Sequence, residues 1–429
     1  MGDVRTYVSR GAVAGAVIAM GIACTGSVHA AAAASPVLTA APLSEGCSNP
    51  SDAVLEIRVA TNTPERDIRV GRGGSPSAIA AAPNGKTDYV VLAGADEILP
   101  VSTVTNKPGR VIKLGFSPEG IAIAPNGRTA YVADDVNDTV TPLSLVTGRK
   151  ARAIKVDVLA GVIGISRNGR TVYVGNGPTE TFPSATRDNA VVPVSTATGK
   201  PGRTILVSAD AEVPGAAEDF TFSPNGKTAY VSVAGASEVD PISIASGTLG
   251  RPIRVGADPA TIVFTPNGKT AYVADTGDET VTPFNVATGK PGRAITIGAK
   301  LGPLAATAAI ALTPNGKTLY VGTNSDVLGE DDTVTPVSTA TNRPGKAIAV
   351  GQGIDAIAIT PNGKTVYVAS FNAGTVTPIR IAANAAGKPI DVGTDLGPDT
   401  LAITPNGAAV YAADTADCAS PTPPGDTRS

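Results

Sequence analysis

The chain has 429 residues, among them 48 Gly, 35 Pro and no Trp, and only 4% are aromatic. Abundant turn formers and few bulky side chains favour short strands and tight turns over a helical bundle. The formal net charge of −3 leaves no net basic surface for a phosphate backbone. We therefore expect no nucleic-acid partner, and the charge favours cationic over anionic ligands.

The N-terminal segment, residues 1–30, has the pattern of a signal peptide. Arg5 and Arg10 precede an apolar run at 11–23 that is too short to be kept as a membrane span. The tripeptide ending at Ala30 has small residues at the −3 and −1 positions that a signal peptidase needs. We expect a secreted protein whose mature form has no transmembrane span.

A lipid anchor is the alternative, because Gly21-Ile22-Ala23-Cys24 loosely resembles a lipoprotein cleavage motif. The mature chain would then be held at the membrane through Cys24. Either route takes the protein out of the cytoplasm.

An Asn-Gly dipeptide recurs along the chain, usually inside Pro-Asn-Gly-Lys-Thr. Alternating apolar and small residues precede each copy, and a strand containing Tyr follows it, as in Tyr131-Val132. Period-two alternation on both sides of Asn-Gly predicts a β-hairpin, whose strands we name A and B. The copies begin at Asn84, Asn126, Asn168, Asn225, Asn267, Asn315, Asn362 and Asn406.

A second hairpin, of strands C and D, follows each A–B hairpin except the last. One more C–D hairpin comes first, at Ala53–Val70. Eight A–B and eight C–D hairpins therefore occur, and the chain begins and ends with half a unit. A ring joins the two halves and removes open sheet edges. We predict an all-β propeller of eight four-stranded blades closed by a composite N- and C-terminal blade, with seven blades as the alternative.

The predicted domain organisation follows from this repeat. Residues 31–47 are expected to be a flexible linker, 48–418 a single propeller and 419–429 a disordered tail. Cys47 and Cys418 bracket the propeller and form an even pair in an oxidising compartment, which predicts a disulfide; two unpaired thiols are the alternative. Such a disulfide would contribute about 2–4 kcal/mol.

Strand C carries a proline in seven copies, whereas the first copy has Glu56. Proline cannot donate to a sheet ladder, and it is usually confined to edges and bulges. The C–D pairing is therefore expected either to start beyond the proline or to bulge there.

The combination of Pro-Asn-Gly-Lys-Thr-x-Tyr-Val-x-Asp/Asn with Thr-Val-Thr-Pro and Gly-x-x-Pro resembles the YVTN-type β-propeller repeat family. Tyr173-Val174-Gly175-Asn176 comes nearest to the motif that names the family. Its members are surface-layer-like and secreted propellers, mostly scaffolds of unassigned role. The resemblance covers about residues 48–416 and implies that strand A is innermost, which its small side chains also favour.

Loop lengths predict which face carries function. The A–B and C–D turns keep constant spacing in all copies, whereas insertions fall only in the B–C and D–A connections. The long loops are 175–189, 208–219, 298–309 and 322–332. Variable loops on a rigid scaffold are where binding usually resides, although neutral insertion on a tolerant face would look the same.

Four carboxylates are expected at the channel mouth on that face. Each lies six residues before the proline that precedes Asn-Gly in its repeat, and Ser77 occupies this position in the first repeat. Such a ring could bind a cation or a cationic ligand. The alternative is that these carboxylates are simply hydrated at the channel mouth and bind nothing. Ca²⁺ is the one cofactor considered, because the B–C loops are also acidic, but none of them has the spacing of an EF-hand loop. The residues are Glu119, Glu218, Asp355 and Asp399.

The only histidine is His29, inside the predicted signal peptide. The mature chain has no imidazole for a Ser-His triad or a His-ligated zinc site. The recurring tyrosines are expected to pack between blades, with their hydroxyls bound to polar partners.

These observations predict a monomeric, non-enzymatic scaffold of the cell envelope or the secreted fraction. Its looped face would bind an unknown protein, glycan or small ligand. An extracytoplasmic hydrolase or lactonase that uses the channel-mouth carboxylates, with or without a metal, is the alternative.

Overall fold

The structure is a computed structural model. It describes residues 53–69, 76–175, 190–207, 217–233, 235–297, 306–325, 332–392 and 398–414. The predicted signal peptide, Cys24, Cys47, Cys418 and most of each long loop lie outside these ranges. No helix in the described ranges has the length and apolar character needed to cross a bilayer.

Short β-strands make up nearly all the regular structure, and strands β1 to β17 precede residue 234. In chain order they are β1 (Ala53–Arg58), β2 (Thr63–Arg69), β3 (Pro76–Ala81), β4 (Thr87–Leu92), β5 (Glu97–Ser102), β6 (Lys107–Pro108), β7 (Ile112–Lys113), β8 (Gly120–Ile123), β9 (Thr129–Asp134), β10 (Thr139–Ser144), β11 (Ile154–Lys155), β12 (Val162–Ile165), β13 (Thr171–Gly175), β14 (Ala190–Ser195), β15 (Ile205–Leu206), β16 (Ala217–Phe222) and β17 (Thr228–Val233).

The second half continues the same alternation. Its strands are β18 (Glu238–Ser243), β19 (Thr248–Leu249), β20 (Ile253–Arg254), β21 (Pro259–Phe264), β22 (Thr270–Asp275), β23 (Thr280–Asn285), β24 (Ile295–Thr296), β25 (Ala306–Leu312), β26 (Thr318–Asn324), β27 (Thr333–Ser338), β28 (Arg343–Pro344), β29 (Ile348–Ala349), β30 (Ile354–Ile359), β31 (Thr365–Ser370), β32 (Thr375–Arg380), β33 (Ala385–Ala386), β34 (Ile390–Asp391), β35 (Pro398–Ile403) and β36 (Ala409–Asp414). Two 3₁₀ turns, Ala93–Ala95 and Thr276–Asp278, lie in B–C loops.

The strands form eight antiparallel sheets, each with the order A-B-C-D. Blades 1 to 7 start at β3, β8, β12, β16, β21, β25 and β30. Blade 8 has the order β2-β1-β36-β35, so the N-terminal hairpin completes the C-terminal one. Val54 pairs with Ala413, and the ladder runs to Arg58 opposite Ala409. The predicted eight-bladed ring with a composite blade is confirmed, and the seven-bladed alternative is wrong.

Strand A is innermost, as expected. Each A strand contacts the A strands of the two neighbouring blades, and β3 contacts β35 to close the circle. Apolar clusters join every pair of successive blades in the described ranges. The core is therefore a ring of interfaces between sheets.

The Asn-Gly turns are built alike. In the first, the Gly85 N–H donates to Ala82 O at 2.8 Å, and the Asn84 side chain accepts from the Lys86 N–H at 2.9 Å. Gly85 has φ 64°, a conformation that favours glycine. A Cβ there would meet Pro405 of blade 8 at 3.0 Å, so the turns of neighbouring blades touch across the closure as well.

Strand D bulges opposite the strand C proline, so one of the two expected pairings is confirmed. In blade 1, β6 pairs with Val101 and Ser102 while β7 pairs with Glu97 and Ile98. Between these pieces the Gly109 N–H donates to Pro100 O at 2.7 Å. A Cβ on Gly109 would meet that oxygen at 3.4 Å. In blade 8, where Glu56 replaces proline, strand D is the continuous seven-residue β2, and the C–D register still shifts at Glu56.

The strand B tyrosines are buried between blades. The Tyr411 hydroxyl donates to Asn106 Oδ1 of blade 1 at 3.0 Å, and the Tyr272 hydroxyl donates to Asn342 Oδ1 of blade 6 at 2.9 Å. Asn106 and Asn342 occupy left-handed positions, with φ 53°, in C–D turns. The expected polar partners of the hydroxyls are confirmed for these tyrosines. Each bond links a blade to the one that follows it.

Candidate functional site at the channel mouth

The antiparallel sheets place all A–B and C–D turns at one end of the ring and all B–C and D–A loops at the other. We call these ends the turn face and the loop face. The described loop-face residues include Asp134, Asp138, Asp258, Asp278 and Asp332. The ring of positions predicted from the sequence also lies on this face, at the start of strand A.

Those positions coincide with β-bulges in strand A. The A–B register shifts at Ser77, Glu218, Asp355 and Asp399, in blades 1, 4, 7 and 8. In blade 2 two successive residues, Glu119 and Gly120, lie opposite Ala133. Gly120 is the ladder partner of Ala133, and the N–H of Glu119 also donates to Ala133 O at 3.1 Å. The register also shifts in blades 5 and 6, where the ring position is alanine, so the bulge is a general feature of strand A in this repeat. The side chains of Ser77, Glu218 and Asp399 lie outside the described part, so the backbone alone places them in the ring.

Glu119 has a strongly perturbed carboxyl group. Burial raises its pKa to about 8 from the usual 4.5, and the negative charges of Asp135 and Asp134 raise the pKa further. The group is half-buried and still reaches solvent. A carboxyl group that holds its proton near neutral pH because of burial and like charges is a recognised mark of a functional site.

The two aspartates beside Glu119 differ in their surroundings. Asp134 is 2% exposed, and its oxygens accept from the Asn137 backbone N–H at 3.0 Å and the Asn137 side-chain amide at 2.8 Å. Asp135 has a buried Oδ1 with no hydrogen-bond partner, and burial is the largest cause that raises its pKa. Glu119 and Asp135 therefore form an acidic pair that a cation would stabilise.

Asp275 in blade 5 corresponds to Asp134 in blade 2 and has a structural role. Its Oδ2 accepts from the Thr282 hydroxyl at 2.6 Å and the Thr280 hydroxyl at 2.9 Å. Burial raises its pKa to about 6, and the two hydroxyls offset part of this effect. Asp275 is 0% exposed, and a Cβ on Gly256 would meet it at 2.7 Å. A ligand on the loop face cannot reach this carboxyl group.

Other loop-face acids bind backbone amides, a role that the sequence did not indicate. Asp332 is 2% exposed and accepts from the N–H groups of Ser325 at 2.7 Å and Gly353 at 2.5 Å. It thereby ties blade 6 to blade 7. Asp278 accepts from the Ala257 N–H at 2.7 Å, which fixes a D–A loop. No signal in a single repeat marks these contacts, because they join segments of different repeats.

Asp355 occupies its ring position in β30 and is 8% exposed. The structure therefore brings Glu119 and Asp355 to the same ring, in blades 2 and 7, and Asp135 and Asp134 raise the pKa of Glu119. Among the residues described, no three carboxylate, histidine or cysteine side chains are placed to hold one metal ion. The calcium hypothesis has no support from the described side chains.

The turn face is basic. The residue after Asn-Gly is an exposed Lys or Arg in seven of the eight repeats, and the C–D turns add further exposed cations. Within the described turns Asp and Glu are absent, apart from Glu65 at the start of a D strand. The expectation that a net charge of −3 leaves no basic surface is therefore wrong, because the two signs of charge are segregated onto opposite faces.

A family model described as "Lactonase, 7-bladed beta-propeller" matches residues 221–385. The match covers parts of blades 4 to 7 and less than half of the chain. It includes Asp355 and leaves out Glu119, Glu218 and Asp399. No curated protein matches the chain.

Two solved structures share the propeller architecture. The hydrazine synthase of Kuenenia stuttgartiensis is similar with a TM-score of 0.52 and 21% identity, over 80% of this chain and 93% of that chain. Dihydro-heme d1 dehydrogenase NirN, in complex with DHE, is similar with a TM-score of 0.63 and 12% identity, over 82% and 76% of the two chains. At these identities the likeness concerns the fold. The chain is thus an eight-bladed propeller whose middle blades are similar to a lactonase family.

Proposed function

We propose that the protein is a secreted, monomeric binding scaffold that holds a cationic ligand at the loop-face mouth of its channel. The observation that carries this proposal is Glu119, whose pKa is raised to about 8 beside Asp134 and Asp135. Glu119 lies at the loop-face start of strand A in a rigid ring, and Asp135 and Asp134 lie close enough to raise its pKa. The ligand class is an amine or polyamine, either free or as a basic segment of a protein or glycan.

A buried, protonated carboxyl group beside an ionised one favours a cation for two reasons. An ammonium group donates hydrogen bonds to both carboxylates and removes their mutual repulsion. Binding also favours the ionised form of Glu119, so the ligand displaces a proton. We therefore expect affinity to increase between pH 6 and pH 8, where Glu119 begins to lose its proton in the free protein while the amines of the ligand stay charged.

Spermine is a suitable probe, because its amines are charged and have no preference for a particular protein fold. We expect Glu119→Gln to weaken spermine binding by about tenfold, the value of one charge-assisted contact. Asp157→Asn is the matched control: Asp157 is an exposed acid near the same face and its loss should change the affinity less than about twofold. Binding is measured by isothermal titration at low salt.

Two results of this titration would contradict the proposal. Equal losses in the Glu119 and Asp157 variants would mean diffuse attraction to an acidic face. An absence of spermine binding to the wild-type chain would remove the cation site altogether.

A lactonase is the second candidate, favoured by the family similarity over residues 221–385. Asp355 is the ring carboxylate within that segment and lies at a strand A bulge. It would take a proton from water while the oxygen attacks the lactone carbonyl. The ring C–O bond then breaks as the protonated Asp355 returns that proton to the leaving alkoxide, and the product is the open hydroxy acid.

Hydrolysis of γ-butyrolactone and δ-valerolactone in a pH-stat tests this second candidate. We expect Asp355→Asn to reduce turnover by about 100-fold, as for loss of a general base, and Asp157→Asn to leave it unchanged. A wild-type rate no faster than that of the buffer would exclude hydrolysis of these two esters and leave the binding function as proposed.

A further inference from the structure

The turn face carries a ring of cations that the loop-face function does not use. One exposed basic residue follows the Asn-Gly of each repeat except the last, where Ala408 stands. The turns that hold them are fixed, because each turn glycine packs against the preceding turn: a Cβ on Gly169 would meet Pro125 at 3.1 Å. The inner ring consists of Lys86, Arg128, Arg170, Lys227, Lys269, Lys317 and Lys364.

A second circle of cations lies outside the first. The C–D turns and the adjoining D strands bear exposed Lys107, Arg203, Arg251, Lys290 and Lys388, among others. No described acidic side chain neutralises them. Among the described residues, ion pairs join Lys113, Lys155 and Arg254, at the loop-face ends of D strands, to acids at or beside the start of strand C. The turn face therefore keeps its positive charge.

Two exposed valines stand among these cations. Val104 is 71% exposed and Val146 is 73% exposed, at matching tips of the C–D turns of blades 1 and 2. The corresponding position is alanine in the other repeats, as at Ala197 and Ala287. Apolar side chains at the tips of a basic surface are typical of proteins that lie on a membrane interface. A linear polyanion binds through its charges and would gain nothing from contact with exposed valines.

We propose that the turn face docks the protein on a bilayer that contains anionic phospholipids, with the inner ring over the headgroups and Val104 and Val146 inserted among them. A ring of charges on one face of the propeller can meet a plane of headgroups in all directions, whereas a linear polymer would cover only a stripe of the ring. Each cation near an anionic leaflet attracts it independently, so the contributions accumulate around the ring. The loop face then points away from the membrane and stays open to its ligand.

Sedimentation with vesicles tests this docking. The mature chain is mixed with vesicles of phosphatidylcholine alone or with 30% phosphatidylglycerol. We expect binding only to the anionic vesicles, and its loss in 0.5 M NaCl because salt screens exposed charges. The triple variant Lys86→Gln, Arg128→Gln, Arg170→Gln is expected to bind about 100-fold more weakly. Val104→Ser with Val146→Ser should weaken binding by about tenfold.

The matched control is Lys113→Gln with Lys155→Gln, which removes two exposed cations from the loop-face ends of D strands and should leave vesicle binding unchanged. Thermal melts of every variant check that the ring is intact. Equal binding to neutral and anionic vesicles would overturn the proposal. So would binding of soluble polyphosphate through the inner ring without sedimentation on vesicles, since that result assigns the face to a linear polyanion. Neither result bears on spermine binding at the loop face.

Discussion

Ile57→Ala is expected to lower the free energy of unfolding by about 2–5 kcal/mol, the usual cost of truncating a buried isoleucine. Ile57 is 0% exposed in β1 and pairs with Val410 of the C-terminal hairpin. It packs in the cluster between blades 7 and 8, together with Tyr367 and Leu401. The measurement is chemical denaturation of the mature chain.

Ile379→Ala provides the benchmark for that experiment. Ile379 follows the strand C proline of blade 7, at the position that Ile57 occupies after Glu56, and it is also 0% exposed. A ring closed by the N-terminal hairpin makes the two losses similar. If Ile57→Ala left stability unchanged while Ile379→Ala was costly, the hairpin would be a detached arm and the composite blade would not exist.

Asp88→Ala is expected to stabilise the protein by about 2–4 kcal/mol at pH 8, because the native residue is a buried carboxyl group in an apolar position. Asp88 is 1% exposed, and neither carboxyl oxygen has a hydrogen-bond partner. The corresponding residues in blades 2 and 5 are Ala130 and Ala271, so alanine fits the site. Denaturation at several pH values measures the effect.

The gain from this substitution should depend on pH. Burial raises the pKa of Asp88 from 3.8 to about 7. Between these values the unfolded chain has released a proton that the folded chain keeps, so stability falls as pH rises through this window. The pH-dependent part of this advantage is therefore absent near pH 4 and complete above pH 7, while the cost of burying the carboxyl group without partners remains at every pH. Asp88→Asn should remove the same pH dependence with a smaller gain, since its amide is also left without partners. A less stable Asp88→Ala variant at pH 8 would contradict the account.

The architecture was predictable because its determinants are local and repeated. Asn-Gly turns with fixed spacing specify hairpins, and the half unit at each end specifies closure. From the strand C prolines alone, the C–D pairing could either start beyond the proline or bulge there. The bulge follows from the D strand, where a backbone N–H donates to the proline oxygen, from Gly109 in blade 1 and from Ala151 in blade 2. That close approach is a feature of three-dimensional packing and has no signature in strand C alone.

The candidate site was only partly predictable. Spacing placed Glu119 and Asp355 in one ring, and the structure shows strand A bulges at those positions. The pKa of Glu119 depends on Asp134 and Asp135, which are brought to it by the adjacent B strand. The segregated charge was visible in the basic residue after each Asn-Gly, but the net charge sums over both faces and hides it. Asp88 could have been found by aligning the repeats, where it interrupts an apolar column.

The most direct test of the cation site is the number of protons released when spermine binds. Titrations at pH 7 in two buffers of different ionisation enthalpy give that number. With a pKa of about 8, Glu119 is protonated in about nine-tenths of free molecules. The wild-type chain should therefore release close to one proton more than Glu119→Gln at pH 7, and the difference should fall to about half a proton at pH 8. Equal proton release by the two proteins at pH 7 would show that Glu119 does not meet the ligand.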